Sequence, residues 1–151
     1  MMKRKIILAI TWSLVIAVCI TIFIFSGMVA DDSAEQSGFI RELLIKIFGV
    51  GFTEFFIRKL AHMSEYAALG FLSCFAFAYT FKKAKRFYFG ILFTLLYAIG
   101  DEIHQLFVPG RSGQVRDVFI DMAGALLGVL LLGLCYLIYK KIKGKKDVQG
   151  I

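Results

Sequence analysis

The chain has 151 residues, of which 59% are hydrophobic and 19% charged, with a mean hydropathy of +0.76 and a net charge of +7. That length suits one compact unit rather than two ordinary domains. A water-soluble domain is nearer half apolar and a quarter charged, and here the excess lies in long uninterrupted runs, so an ordinary soluble fold is excluded. The basic residues cluster at the ends of those runs, as topology signals and anionic-lipid contacts do, which argues against a nucleic-acid partner.

The first apolar run covers residues 6–25. It has the roughly 20 residues a span requires and is longer than the roughly 7–15 of a signal-peptide core, so an uncleaved helix is expected. In the stretch that follows, Phe39, Ile40, Leu43, Leu44, Ile47 and Phe48 share one helical face, with Arg41, Glu42 and Lys46 on the other. That piece is too short to cross and reads as an interfacial helix ended by Gly49 and Gly51. Three further runs complete an all-α polytopic membrane protein with four transmembrane helices, at about 6–26, 58–81, 87–108 and 117–139. The whole chain, 1–151, reads as a single membrane domain. Lys3, Arg4 and Lys5, then Lys82, Lys83, Lys85 and Arg86, then Lys140, Lys141, Lys143, Lys145 and Lys146 fall on one side. That side, with both termini, is expected to be cytoplasmic. Asp31, Asp32, Glu35 and the Pro109-Gly110 turn face the other way. Cys19, Cys74 and Cys135 have no paired spacing and read as buried small hydrophobes. There is no internal repeat and no low-complexity segment.

Ionisable residues within spans usually face the bundle interior and point to function. Here they gather at the outer ends of three helices. The second helix carries Arg58, Lys59, His62, Glu65 and Tyr66; the third carries Asp101, Glu102, His104 and Gln105, with Tyr97 continuing inward; the fourth begins Arg116, Asp117 and then Asp121. Arg111 follows the turn, which suits type II geometry with glycine at positive φ. Arg111 or Arg116 is expected to pair with carboxylates of Asp101, Glu102, Asp117 or Asp121. Gly124 and Gly128 form a small-xxx-small pair that lets another helix approach closely.

The ordered set Lys59-x-x-His62-x-x-x-Tyr66-x-x-Leu69, Asp101-Glu102-x-x-Gln105, Pro109-Gly110-Arg111 and Asp117-x-x-x-Asp121-x-x-Gly124-x-x-x-Gly128 resembles the VanZ-like family of bacterial membrane proteins. The motif-bearing part is about 55–139, and many members have asparagine at the place of Asp121. The resemblance implies placement in the bacterial cytoplasmic (inner) membrane as a multi-pass protein, and a contribution to teicoplanin resistance like that of the family's namesake. It supplies no catalytic residue.

Three functions follow as alternatives. The polar cluster of Lys59, His62, Glu65, Tyr66, Asp101, Glu102, Gln105, Arg111, Arg116, Asp117 and Asp121 could bind a lipid-linked envelope precursor or a lipoglycopeptide, arginine meeting phosphate or carboxylate. It could serve a membrane-embedded hydrolase or transferase, with His62 or Asp101 as general base. It could be a latch inside a structural or regulatory subunit, where buried ion pairs fix helix arrangement. No nucleophile motif or metal signature is present, so no cofactor and no metal are expected. The metal alternative draws on His62, His104, Asp101 and Asp117, since imidazole and carboxylate suit zinc or manganese. Beyond the lipid bilayer no partner is specified, and an oligomer is compatible with the sequence.

Overall fold

The computed structural model describes residues 2–28, 30–49, 53–81 and 86–148. Five helices follow one another: α1 Met2–Ser26, α2 Ala30–Phe48, α3 Glu54–Thr80, α4 Arg86–Gln105 and α5 Val115–Val148. No strand occurs among the described residues. The Lys82, Lys83 and Lys85 cluster and Gly51 lie outside them, as do the side chains of Asp31, Asp32, Glu35, Arg86, Lys145 and Lys146.

The helix bounds depart from apolar periodicity in consistent ways. Where the sequence implied a short helix over 39–48, α2 begins nine residues earlier, at Ala30. The segment 30–38 carries helix-compatible residues but almost no apolar ones, and periodicity detects a buried face rather than helical backbone. Likewise α5 runs past Tyr139 through the lysines to Val148, because lysine is a good helix former whether or not it is buried. At its start α3 is capped by Thr53, whose hydroxyl accepts from the Phe56 N–H at 3.2 Å.

α3 is the central element and packs against α1, α2, α4 and α5. Val15 and Ile22 of α1, Tyr66, Leu69 and Ala76 of α3, and Ala98 of α4 form the apolar core. Against α5 the approach is close: a Cβ on Gly124 would meet the Met63 carbonyl, and one on Gly128 the Ala67 carbonyl. Small residues allow such contact where dispersion, not water exclusion, drives helix association. α1 is tied on by Trp12 Nε1 donating to Thr80 at 3.3 Å, and by the Tyr97 hydroxyl donating to the Cys19 carbonyl at 2.5 Å. The three cysteines are free thiols.

The outside of this bundle is apolar. α1 exposes Ile6, Ile10, Ile16, Ile20 and Ile24, and α5 exposes Leu126, Leu130, Leu131, Leu134 and Leu137. The inside holds Ser73, Thr94, Asp101, Glu102, Gln105, Asp117 and Asp121. Large exposed apolar surface on a soluble monomer would drive aggregation; around buried charge it is what a bilayer solvates. Two helices, Met2–Ser26 and Val115–Gly144, are long and apolar enough to cross a membrane by length and composition alone, where the sequence implied four. α3 and α4, with 27 and 20 residues, have the length. Their polar residues, His62 and Glu65 on α3 and Asp101 and Glu102 on α4, separate them from α1 and α5, since each such residue lowers the mean hydropathy of a helix.

Candidate functional site

The site is built where α4 turns into α5. After Gln105 the N–H groups of Leu106, Phe107 and Val108 bond to carbonyls three residues back, at 3.0–3.2 Å, so the helix tightens before ending. Arg111 N–H then closes on the Val108 carbonyl at 3.1 Å, with Gly110 at φ +75°. This is the type II turn that Pro109-Gly110 implies, proline presetting φ at the second position and glycine taking positive φ at the third. It returns the chain over the end of α4, where Gln114 N–H donates to Glu102 Oε2 at 2.7 Å. α5 starts at once, with Asp117 in its first turn, where the helix dipole favours negative charge.

An open cleft of about 120 Å³ lies under this loop. α3 contributes Phe55, Arg58, Lys59 and His62 to its wall, α4 contributes Glu102 and Gln105, the loop Arg111 and Gln114, and α5 Asp117 and Asp121. Among the described residues the ion pairs are Lys59 with Asp117, and His62 Nδ1 with Asp121 Oδ1 at 3.9 Å. Asp101 lies deeper. Its Oδ2 accepts from Ser26 Oγ at 2.9 Å and from Gln105 Nε2 at 3.4 Å, and the same amide nitrogen reaches Glu102 Oε1 at 3.4 Å. Four buried polar atoms have no hydrogen-bond partner among the described residues: Tyr66 Oη, His104 Nε2, Asp117 Oδ1 and Asp121 Oδ2. Such orphans are uncommon inside proteins and call for an explanation at each site.

The expected pairing of Arg111 or Arg116 with carboxylates is replaced by another arrangement. Arg111 Nε donates to the Met28 carbonyl at 3.1 Å and its Nη2 to the Phe25 carbonyl at 3.2 Å. A cation on the Phe25 carbonyl in the last turn of α1, and on the Met28 carbonyl just beyond it, satisfies acceptors the helix end leaves open and complements its dipole. Burial, and then the neighbouring Arg58, push the Arg111 guanidinium below its usual range, while Asp101 and Glu102 oppose this; an arginine remains charged in any case. Arg116 is exposed, stands 5.9 Å from the Phe55 ring centroid and is not on the cleft wall. Lys59 takes the role assigned to the arginines and also lies 5.3 Å from the Phe55 ring.

Lys59, His62, Glu102, Gln105, Arg111, Asp117 and Asp121 therefore share one cleft wall, with Asp101 beneath it. Tyr66 is fully buried, one turn further along α3. Glu65 is half-buried and outside the lining, so the carboxylate facing His62 is Asp121. His104 stacks on Phe23 of α1 at 4.4 Å between ring centroids and plays no part in the cleft. Ser26, Arg58 and Gln114 join the site without having been singled out as candidates. Arg58 does belong to the polar end of its helix in the sequence. For Ser26 the only available signal is a small hydroxyl ending an apolar run.

Residues 11–137, most of the chain, match the family described as VanZ/LLP1. The chain belongs to the VanZ/LLP1 family. No curated protein and no solved structure matches it. All of the cluster residues fall within the VanZ/LLP1 match, as does Ser26. The family match and the two membrane-capable helices together make this a membrane protein of the VanZ type.

Proposed function

We propose that this VanZ-like protein is a four-span protein of the bacterial cytoplasmic membrane whose polar cleft opens to the outer face and binds an anionic group. The ligand class is the phosphate of a lipid-linked envelope precursor or the carboxylate of a lipoglycopeptide, and the physiological outcome is reduced teicoplanin susceptibility. Both termini lie in the cytoplasm. The observation that carries the reading is a water-accessible cleft, rimmed by Arg58, Lys59 and Arg111, in a bundle with an apolar exterior. Guanidinium and ammonium groups at such a mouth suit phosphate and carboxylate, and arginine in particular offers paired donors.

The four-span topology is supported by the same geometry. The polar residues of α3 and α4 face inward, where the apolar exteriors of α1 and α5 shield them. Lys3–Lys5 and Lys140–Lys143 lie at the ends of α1 and α5 away from the cleft, as a positive-inside arrangement requires.

One set of observations favours a second reading, a latch. Ser26–Asp101 joins α1 to α4, and Lys59–Asp117 joins α3 to α5. Susceptibility to teicoplanin, with vancomycin as control, separates the two in cells carrying wild type, Asp101→Asn or no protein, with membrane levels checked by blot. Protection lost in an equally abundant Asp101→Asn strain supports binding. A fall in protein level supports the latch. Identical susceptibility in all three strains at equal levels removes the resistance role.

A further inference from the structure

We propose that His62, Asp101 and Asp121 form a binding site for a divalent cation of the zinc or manganese class at the floor of the cleft. The three residues come from α3, α4 and α5, and one ligand atom from each lies within 4.8 Å of the others. A zinc ion holds nitrogen and carboxylate oxygen at about 2.0–2.2 Å, so two of its ligand atoms are separated by roughly 3–4 Å. His62 Nδ1 and Asp121 Oδ1 are already 3.9 Å apart. Closing the remaining separation by about 1 Å would bring the third atom into the same range.

Charge and satisfaction point the same way. Asp121 is 1% exposed and Asp101 5% exposed. Burying a carboxylate is unfavourable unless it is paired or coordinates a metal, yet Asp121 Oδ2 has no partner and Tyr66 Oη beside this layer has none either. Lys59 is engaged with Asp117, and Arg111 with the carbonyls of Phe25 and Met28. An ion between His62 and the two aspartates supplies the missing positive charge.

The surrounding groups also resemble a support shell for metal ligands. Ser26 and Gln105 both donate to Asp101 Oδ2, which fixes the carboxylate beside the other two ligands. Ligating carboxylates are typically oriented by such outer hydrogen bonds. Three protein ligands beside an open cleft leave a coordination position for an exogenous group, the arrangement of non-structural zinc sites. The proposal deepens the anion-binding reading and rests on it for its purpose: a phosphate or carboxylate in the cleft would contact the ion below and the cationic rim above.

The test is titration of zinc and of manganese into the purified, chelator-stripped full chain in lipid nanodiscs, with no lipid-linked ligand added. Binding is read by calorimetry and by the shift in thermal unfolding. One ion per chain is expected, with a raised Tm. His62→Gln and Asp121→Asn should each weaken binding more than tenfold, Ser26→Ala about tenfold as an orienting residue, and Arg116→Gln not at all. Variant folding is checked by the unfolding transition without metal, and cobalt absorption bands that change on His62→Gln provide a readout that a purely structural role would not move. Failure of wild type to bind either ion, or equal binding by His62→Gln and Asp121→Asn, overturns the proposal. Zinc binding without any effect on teicoplanin susceptibility keeps the ion site and removes the resistance reading alone. Full protection by a protein that binds no ion removes the site alone.

Discussion

The two ends of the bundle are held by different forces. At the cleft end, α1, α3, α4 and α5 meet through charges and hydrogen bonds, Ser26–Asp101, Lys59–Asp117 and Gln114–Glu102. At the other end α1, α3 and α4 meet through rings. Phe77 sits edge-on to Trp12 at 5.1 Å, stacks on Phe81 at 5.9 Å and contacts Phe93 at 6.2 Å, and Phe81 meets Phe89 at 5.2 Å. In lipid, apolar contact between helices brings no water-exclusion gain, because acyl chains solvate leucine and phenylalanine equally well. The aromatic end is thus held mainly by packing, with single hydrogen bonds from Trp12 to Thr80 and from Arg4 to the Tyr79 carbonyl beside it, and tolerates change. The polar end is held by mutual compensation, in which each group leaves another unsatisfied when removed. A membrane protein places such an arrangement where specificity or a ligand requires it.

The largest expected effect lies where both ends depend on one contact. Gly128→Leu would drive a side chain into the Ala67 backbone, where no flexible atom can give way. Overpacking typically destabilises by about 1–3 kcal/mol and occasionally more; separating α3 from α5 along their length should exceed that range. Loss of most of the protein from the membrane fraction by blot is expected. A well-folded, abundant Gly128→Leu protein would mean that α3 and α5 do not pack as described.

Next comes the polar end. Lys59→Met leaves Asp117 buried with one oxygen already unpartnered. An unpaired buried acceptor costs about 1–3 kcal/mol, more when charged, so a lower Tm in detergent is expected. Lys59→Met combined with Asp117→Asn should recover most of that loss, because removing both partners is far less harmful than removing one. If the double variant is no more stable than the single, mutual compensation is not what holds this end, and the contrast with the aromatic end fails.

The contrast also explains what the sequence disclosed. Lys59, His62, Asp101, Gln105, Asp117 and Asp121 stand out because ionisable and strongly polar residues are rare in apolar runs, and the structure gathers them on or beneath one cleft wall. The turn at Pro109-Gly110 is legible because only a few residues satisfy its dihedral angles. Partner choice was not legible. Whether a given carboxylate receives Lys59 or Arg111 depends on helix rotation and on where α1 ends, and α1 enters through Ser26 and the carbonyls of Phe25 and Met28. Backbone carbonyls leave no trace in a residue pattern. Nor did apolar periodicity reveal the first half of α2 or the last turns of α5, because such periodicity registers an apolar face and not helical backbone.

Phe77→Ala probes the aromatic end directly. In a water-soluble core this change removes about 3–5 kcal/mol. Here a loss of roughly 1–2 kcal/mol is expected, because only packing is lost and lipid tails can fill part of the gap. Zinc affinity and the effect on teicoplanin susceptibility should be unchanged, since no cleft residue touches this ring. A change in either would show that the two ends are coupled.

The smallest effect is expected between the ends, where Ser73 of α3 meets Thr94 of α4 at 3.0 Å and the Gly90 carbonyl at 3.3 Å. Both side chains are fully buried. Interhelical hydrogen bonds in membranes average only about 0.6 kcal/mol, since the separated helices find other partners. Ser73→Ala also leaves no orphan: the Thr94 hydroxyl keeps its own bond to the Gly90 carbonyl at 2.9 Å. A loss near 0.5 kcal/mol in thermal or denaturant unfolding is therefore expected. This change differs from Lys59→Met in one respect that matters, the absence of an abandoned charge. A loss above about 2 kcal/mol at Ser73 would exceed the largest interhelical bonds of this kind, and would extend the compensated polar region from the cleft into the middle of the bundle.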